Sequence, residues 1–156
     1  MRNVVVAAVA VAGMLCALVL GPAAIAAEVK TIAIMPMASA PGNTVPGAIV
    51  GGLHSKVAAE LAMDPMFKVA SDNDTGKYFD KEYTAAQAAK ALGVRFIFMG
   101  TIDGDEATSH VTGVLVDTTD GTQLFKGNFF SDPMNIDQFQ IELATSIKLG
   151  FQKAGL

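Results

Sequence analysis

The sequence predicts an α/β fold of three layers, α/β/α, around a mixed five-stranded sheet in the order 2-1-3-4-5, with strand 4 antiparallel to the rest. Three observations lead there. Segments of strand period and helix period follow one another as β-α-β-α-β-β-β-α. Two of the strand segments, residues 30–35 and 94–100, are apolar on both faces, which marks them as central strands with helices above and below. Right-handed crossovers then make the first three strands parallel, and turns join the last two to them as antiparallel neighbours.

The first 27 residues stand apart from this pattern. Arg2 precedes an apolar run from Val4 to Leu20, Gly21-Pro22 breaks it, and Ala24-Ile25-Ala26 supplies the small-x-small pattern of a cleavage site. That is a secretory signal peptide, cut near Ala26/Ala27. At 17 residues the run is at the bottom of the range that spans a bilayer, so a retained anchor is the lesser reading. Cys16 sits deep in the run behind Met14-Leu15, without the small residues that lipidation needs. The leader also inflates the mean hydropathy of +0.41.

The remaining residues, 28–156, read as one domain long enough to bury about 65% of the surface that its unfolded chain exposes. Cys16 leaves with the leader, so core packing alone must hold the fold in a compartment that permits disulfides. Without Arg2 the chain has ten basic and fifteen acidic side chains, a net charge of −5. An acidic chain with no basic patch is a poor partner for nucleic acid or anionic lipid.

In order, Lys30-Thr31-Ile32-Ala33-Ile34-Met35 is the first strand, closed by Pro36, and residues 37–46 form a loop rich in turn formers. Ile49, Val50, Leu53, Val57 and Leu61 make the buried stripe of a helix over residues 47–63. Gly51-Gly52 weakens its first turns by about 2 kcal/mol relative to alanine, a cost that close approach to a neighbouring backbone would explain. Asp64-Pro65 ends it. Phe67-Lys68-Val69-Ala70 is a short second strand, and residues 71–80 read as a polar surface loop.

Thr84 caps a second helix over residues 85–92, and Gly93 suits the left-handed position that terminates it. After the strand at 94–100, Asp103-Gly104-Asp105-Glu106 reads as a turn. In the fourth strand, residues 109–116, Val111 and Leu115 face one way and Val114 and Val116 the other. Asp117-Thr118-Thr119-Asp120-Gly121 is a hairpin turn with glycine where positive φ is needed. The fifth strand, residues 122–130, carries Leu124, Phe125, Phe129 and Phe130. Asp132-Pro133 opens a last helix in which Ile136, Phe139, Leu143, Ile147 and Phe151 recur at helical spacing.

These segments carry a resemblance. Ile32-Ala33-Ile34-Met35-Pro36, Pro65-Met66-Phe67-Lys68-Val69, Ala89-Lys90-Ala91-Leu92-Gly93-Val94-Arg95 with Gly100, and Leu115-Val116-Asp117-Thr118-Thr119-Asp120-Gly121 resemble the amino-terminal α/β domain of the TolB family. CsgG-like and LpoB-like envelope proteins share the plan more distantly. The likeness covers about residues 30–152, lacks the β-propeller of TolB, and rests on caps, turns and core positions. It implies a protein-binding module of the bacterial envelope, not an enzyme, partnered by another envelope protein or by itself.

The residues support no catalytic or metal constellation. A serine triad needs a histidine and an orienting acid. The only histidines are His54, beside the buried helix stripe, and His110, at the start of the fourth strand; both read as surface or border residues. Zinc needs more His or Cys ligands than these. Asp72-Asn73-Asp74 and Asp103-x-Asp105-Glu106 lack the spacing of a calcium loop and read as solvated turns. The glycines between residues 42 and 52 carry no phosphate-binding signature. No cofactor is implied. Open α/β sheets bind ligands outside the carboxyl ends of strands where the winding reverses, here between strands 1 and 3. The crevice there would be walled by residues 37–46 and 102–106. Its candidate residues are Ser39, Asn43, Thr44, Asp103 and Asp105, and a small-ligand carrier or sensor is the rival function.

Overall fold

The computed structural model describes residues 28–45, 47–79, 81–105, 108–131 and 135–156. The expected leader lies outside them, as do Pro46, Asp80, Glu106 and the Asp132-Pro133 helix start. The elements are β1 (Lys30–Ile34), β2 (Ala38–Ser39), α1 (Gly47–Ala62), β3 (Phe67–Val69), α2 (Asp72–Thr75), α3 (Ala85–Leu92), β4 (Phe96–Gly104), β5 (Ser109–Asp117), β6 (Gln123–Ser131) and α4 (Ile136–Lys153).

The sheet runs β3-β1-β4-β5-β6. β1 is parallel to both β3 and β4, and β5 is antiparallel to both β4 and β6. The five expected strands therefore hold their expected order, with the fourth reversed. Helices α1 and α4 cover one face, over Ile34, Phe96, Phe98 and Leu115. Helix α3 lies on the other, over Ala33, Met35 and Ile97. Phe151 of α4 meets the rings of Phe67 and Phe96 at 5.2 and 4.7 Å, which ties the last helix to the sheet. Burying a phenylalanine of this kind contributes about 1.5–3 kcal/mol.

Local signals hold where they were strong. The Thr84 hydroxyl accepts from the Gln87 amide while the Gln87 side chain accepts from the Thr84 amide, a capping box. Gly93 and Gly121 both take positive φ, 64° and 77°.

Four expectations need correction. Residues 37–46 are not all loop. Pro36 interrupts β1, and Ala38 and Ser39 then rejoin the sheet as a sixth strand, parallel to Thr101 and Ile102 of β4. Second, the strand expected over residues 94–100 does not end at Gly100. A Cβ there would collide with the Met37 sulfur, so this glycine is a seat for Met37 and β4 runs on to Gly104. Third, residues 71–80 hold α2, capped by the Ser71 hydroxyl, and a 3₁₀ turn over Gly76–Tyr78. Fourth, Gly51 and Gly52 face open space, and no neighbouring backbone requires them.

One polar clasp closes the end of the sheet. Arg95 donates to both carboxylate oxygens of Asp117, with Nη2–Oδ2 at 2.8 Å and Nε–Oδ2 at 3.1 Å. The Arg95 amide donates to the Thr31 hydroxyl, and its carbonyl accepts from the Thr118 hydroxyl. Thr119 donates to Asp117 through both amide and hydroxyl. The clasp thus joins β1, β4, β5 and the hairpin turn. Burial by itself raises the Asp117 carboxyl, but the bonds from Arg95 and Thr119 outweigh it and hold the group below its ordinary value of 3.8.

These contacts set two expectations for stability. A carboxyl lowered on folding contributes stability above its unfolded value, and that contribution is lost as pH falls through the folded one. Asp117→Asn should therefore cost about 2 kcal/mol at neutral pH, less than a fully buried pair because Arg95 is a third exposed. The deficit should shrink as pH falls below 3.8, measured by urea unfolding at neutral and at acid pH. Conversely, Gly51→Ala and Gly52→Ala should each raise stability by up to about 1 kcal/mol, read as a higher melting temperature.

Candidate functional site

The crevice expected at the winding reversal is bridged by the chain itself. Beyond β2, the Ala40 amide donates to the Ile102 carbonyl, and the Thr44 amide and hydroxyl both donate to the Gly104 carbonyl at 2.9 and 3.2 Å. Asn43 donates to the Ser39 hydroxyl at 2.8 Å and accepts from the Val45 amide. Ser39, Asn43 and Thr44 therefore fasten the loop to β4. Asp105 accepts from the amide and hydroxyl of Thr108 and shapes the turn after β4. Asp103, the remaining sequence-chosen residue, lines a depression on the sheet.

That depression belongs to a different surface. Beyond its first three residues β4 is buried on one side only: Ile102 points into the core beneath α1 and α4, whereas Thr101 and Asp103 are exposed on the opposite face. β5 continues the alternation. Val111, Gly113 and Leu115 are buried, and His110 and Thr112 are exposed. The register sets His110 opposite Phe130, Thr112 opposite Asn128 and Val114 opposite Lys126. α3 does not cover them: its buried residues Ala88 and Ala89 pack with Ala33, Met35 and Ile97, over β1 and the start of β4.

The result is an uncovered patch of sheet made by β4, β5 and β6. Two adjoining depressions mark it. One, about 400 Å³, lies between Asp103, His110, Asn128 and Phe130. The other, about 490 Å³, lies between Met99, Val114, Lys126 and the segment Lys81, Glu82 and Tyr83. Thr101 and Thr112 line both. The Thr112 hydroxyl donates to the Asn128 side-chain oxygen at 3.1 Å. His110 stands edge-on to Phe130 with centroids 4.6 Å apart, and Phe130 is 70% exposed. Lys81 and Lys126 balance Glu82 and Asp103, so the patch carries no strong charge of either sign.

This mixture of hydroxyls, an amide, an aromatic ring and opposed single charges suits recognition of a polar surface with apolar points. Among the described residues no three His, Cys, Asp or Glu side chains are grouped as a metal site requires. His54 is buried, not at the border. Its Nε2 lies 3.0 Å from Asp72 Oδ1; that oxygen accepts a hydrogen bond from the Ser55 hydroxyl at 2.7 Å. Sequence reasoning missed Thr101, Thr112, Asn128 and the exposed side of Phe130. The signal available was the polar alternation of β5, where His110 and Thr112 alternate with the buried Val111 and Gly113.

The fold has known counterparts. No protein-family model matches the chain, and no curated protein matches it in sequence. Among solved structures it is similar to TolB from Acinetobacter baumannii, with a TM-score of 0.58 at 19% identity over 80% of this chain. It spans only 28% of that TolB chain. It is also similar to the LpoB C-terminal domain from Salmonella enterica, with a TM-score of 0.52 at 10% identity over 67% of this chain and 84% of that one. Lipoprotein GNA1162 from Neisseria meningitidis gives a TM-score of 0.52 at 16% identity over 77% of this chain and 94% of that one. The TolB-like and LpoB-like resemblance read from the sequence holds for the fold.

Proposed function

We propose that the chain is a non-enzymatic protein-binding module of the bacterial cell envelope, periplasmic once its leader is removed near Ala26/Ala27. Its partner is another envelope protein, engaged through the uncovered face of β4, β5 and β6. The observation that carries this reading is the face itself. Two long helices cover one side of the sheet, whereas α3, Tyr78 and Tyr83 cover the other over β1 and the start of β4, which leaves a solvent-facing surface with an exposed aromatic ring at its rim.

Three further points support it. Structures of the same fold include TolB, LpoB and a lipoprotein, and the family likeness implies an envelope role. Among the described residues no helix is long and apolar enough to cross a membrane. The patch has the balanced charge of a protein contact, which favours neither nucleic acid nor an anionic lipid surface.

The test is crosslinking in intact cells with a tagged full-length chain, followed by mass spectrometry. One reproducible envelope protein should be captured. Thr112→Arg, which fills both depressions from the middle of the patch, should cut that capture by about tenfold or more while the circular dichroism spectrum stays unchanged. A partner captured equally well by the variant would move the interface elsewhere. A rise in melting temperature with a small molecule, and no captured protein, would replace this reading with the small-ligand carrier.

A further inference from the structure

The sheet has two edges, and they are built differently. β3 is three residues long and offers little to pair with. β6 is nine residues long, contains no proline and bears one charge, Lys126. It pairs with β5 on one side, and among the described residues no strand pairs with the other. A long edge of this kind is a template for a further strand.

The sequence of that edge fits one partner in particular. An isologous pairing of two antiparallel strands sets residue i of one copy against residue j of the other, and j against i. A strand that reads nearly the same in both directions then sets like side chains against like on each face. Phe125-Lys126-Gly127-Asn128-Phe129 reads so about Gly127. We propose that a second copy of this chain pairs along β6, antiparallel and centred on Gly127, giving a two-fold dimer with a continuous sheet.

The register has consequences that can be checked against the geometry of one copy. Phe125 of each copy falls opposite Phe129 of the other, on the face beneath α4. Both rings are half-buried, 5.9 Å apart within one copy, and close over Gly127, where a Cβ would strike them. The four rings would then form one cluster of two facing pairs. On the open face, Lys126 falls opposite Asn128 of the second copy, so the single charge of the edge meets an amide and not its own image. A slip of the register by one residue would turn the aromatic rings to the opposite face, and a slip by two would bring the ammonium groups or the amides together. The irregularity in the β5–β6 register between Leu115 and Val116 falls just before Phe125 on β6, and it limits the pairing at that end to the stretch from Phe125 onward.

This dimer uses the backbone edge of β6, shares Lys126 and Asn128 with the patch proposed for the envelope partner, and would hold for a small-ligand carrier as well. It is tested by sedimentation velocity on the full-length expressed, processed chain across a concentration series. The expected result is a concentration-dependent dimer. Asn128→Lys sets two ammonium pairs across the two-fold and should weaken it about tenfold; Asn128→Glu sets two opposite-charge pairs and should tighten it about tenfold. Combining Lys126→Glu with Asn128→Lys should restore or exceed the original affinity. A monomer at every concentration overturns the proposal, and so does a dimer that responds in the same direction to both substitutions. A monomer that still captures an envelope protein overturns the dimer alone.

Discussion

Burial along β4 changes partway, and the rest of the structure depends on that change. Phe96, Ile97 and Phe98 are buried on both sides; Thr101 and Asp103 are not, although Ile102 between them is. The first part can sit only in the middle of a sheet between two helical layers, because exposing either face would leave large apolar side chains in water. The second part needs cover on one side only. α1 and α4, sixteen and eighteen residues long, provide it across the whole sheet; α3, with eight, closes the other side only over β1 and the start of β4. The uncovered patch is the remainder.

The Arg95–Asp117 clasp makes this arrangement specific at the end where burial is greatest. Five protein hydrogen bonds converge on the Asp117 carboxylate from Arg95 and Thr119. The side chains come from the two ends of the β4–β5 hairpin, and Arg95 holds Thr31 of β1 through its amide. Arg95 also lies 4.8 Å over the Phe96 ring, so the guanidinium covers an aromatic group that would otherwise border solvent. Register errors between β4 and β5 would separate this carboxylate from its donors, leaving a buried charge unpaired.

What was legible in the sequence is what a short window of residues decides. The apolar runs at 30–35 and 94–100, the capping box at Thr84 and the turn glycine at position 121 each carry their reason within a few residues. The features that were misread are set by residues far apart in the chain. Gly100 resembles a strand end until Met37, more than sixty residues earlier, is seen to occupy the space its missing side chain leaves. Ala38 and Ser39 have no strand pattern of their own; they pair because β4 extends past Gly100 and presents a free ladder. Gly51 and Gly52 invited a packing explanation, and the space beside them is open.

The same distinction accounts for the site. A winding reversal can be found from strand order alone, but whether it is open depends on backbone groups that a pattern does not show. Here the carbonyls of Ile102 and Gly104 accept from Ala40 and Thr44, so the polar backbone that would greet a ligand is already satisfied by the loop. Ser39 and Asn43 look like ligand-binding side chains for the reason that makes them good loop fasteners: short polar groups reach nearby backbone and one another. The contact proposed above falls instead to side chains that face solvent beyond the reach of α3. The polar alternation of His110 and Thr112 in β5, set against Phe130 and Asn128 in β6, supplies them on one side of a sheet whose other side is fully committed to the core.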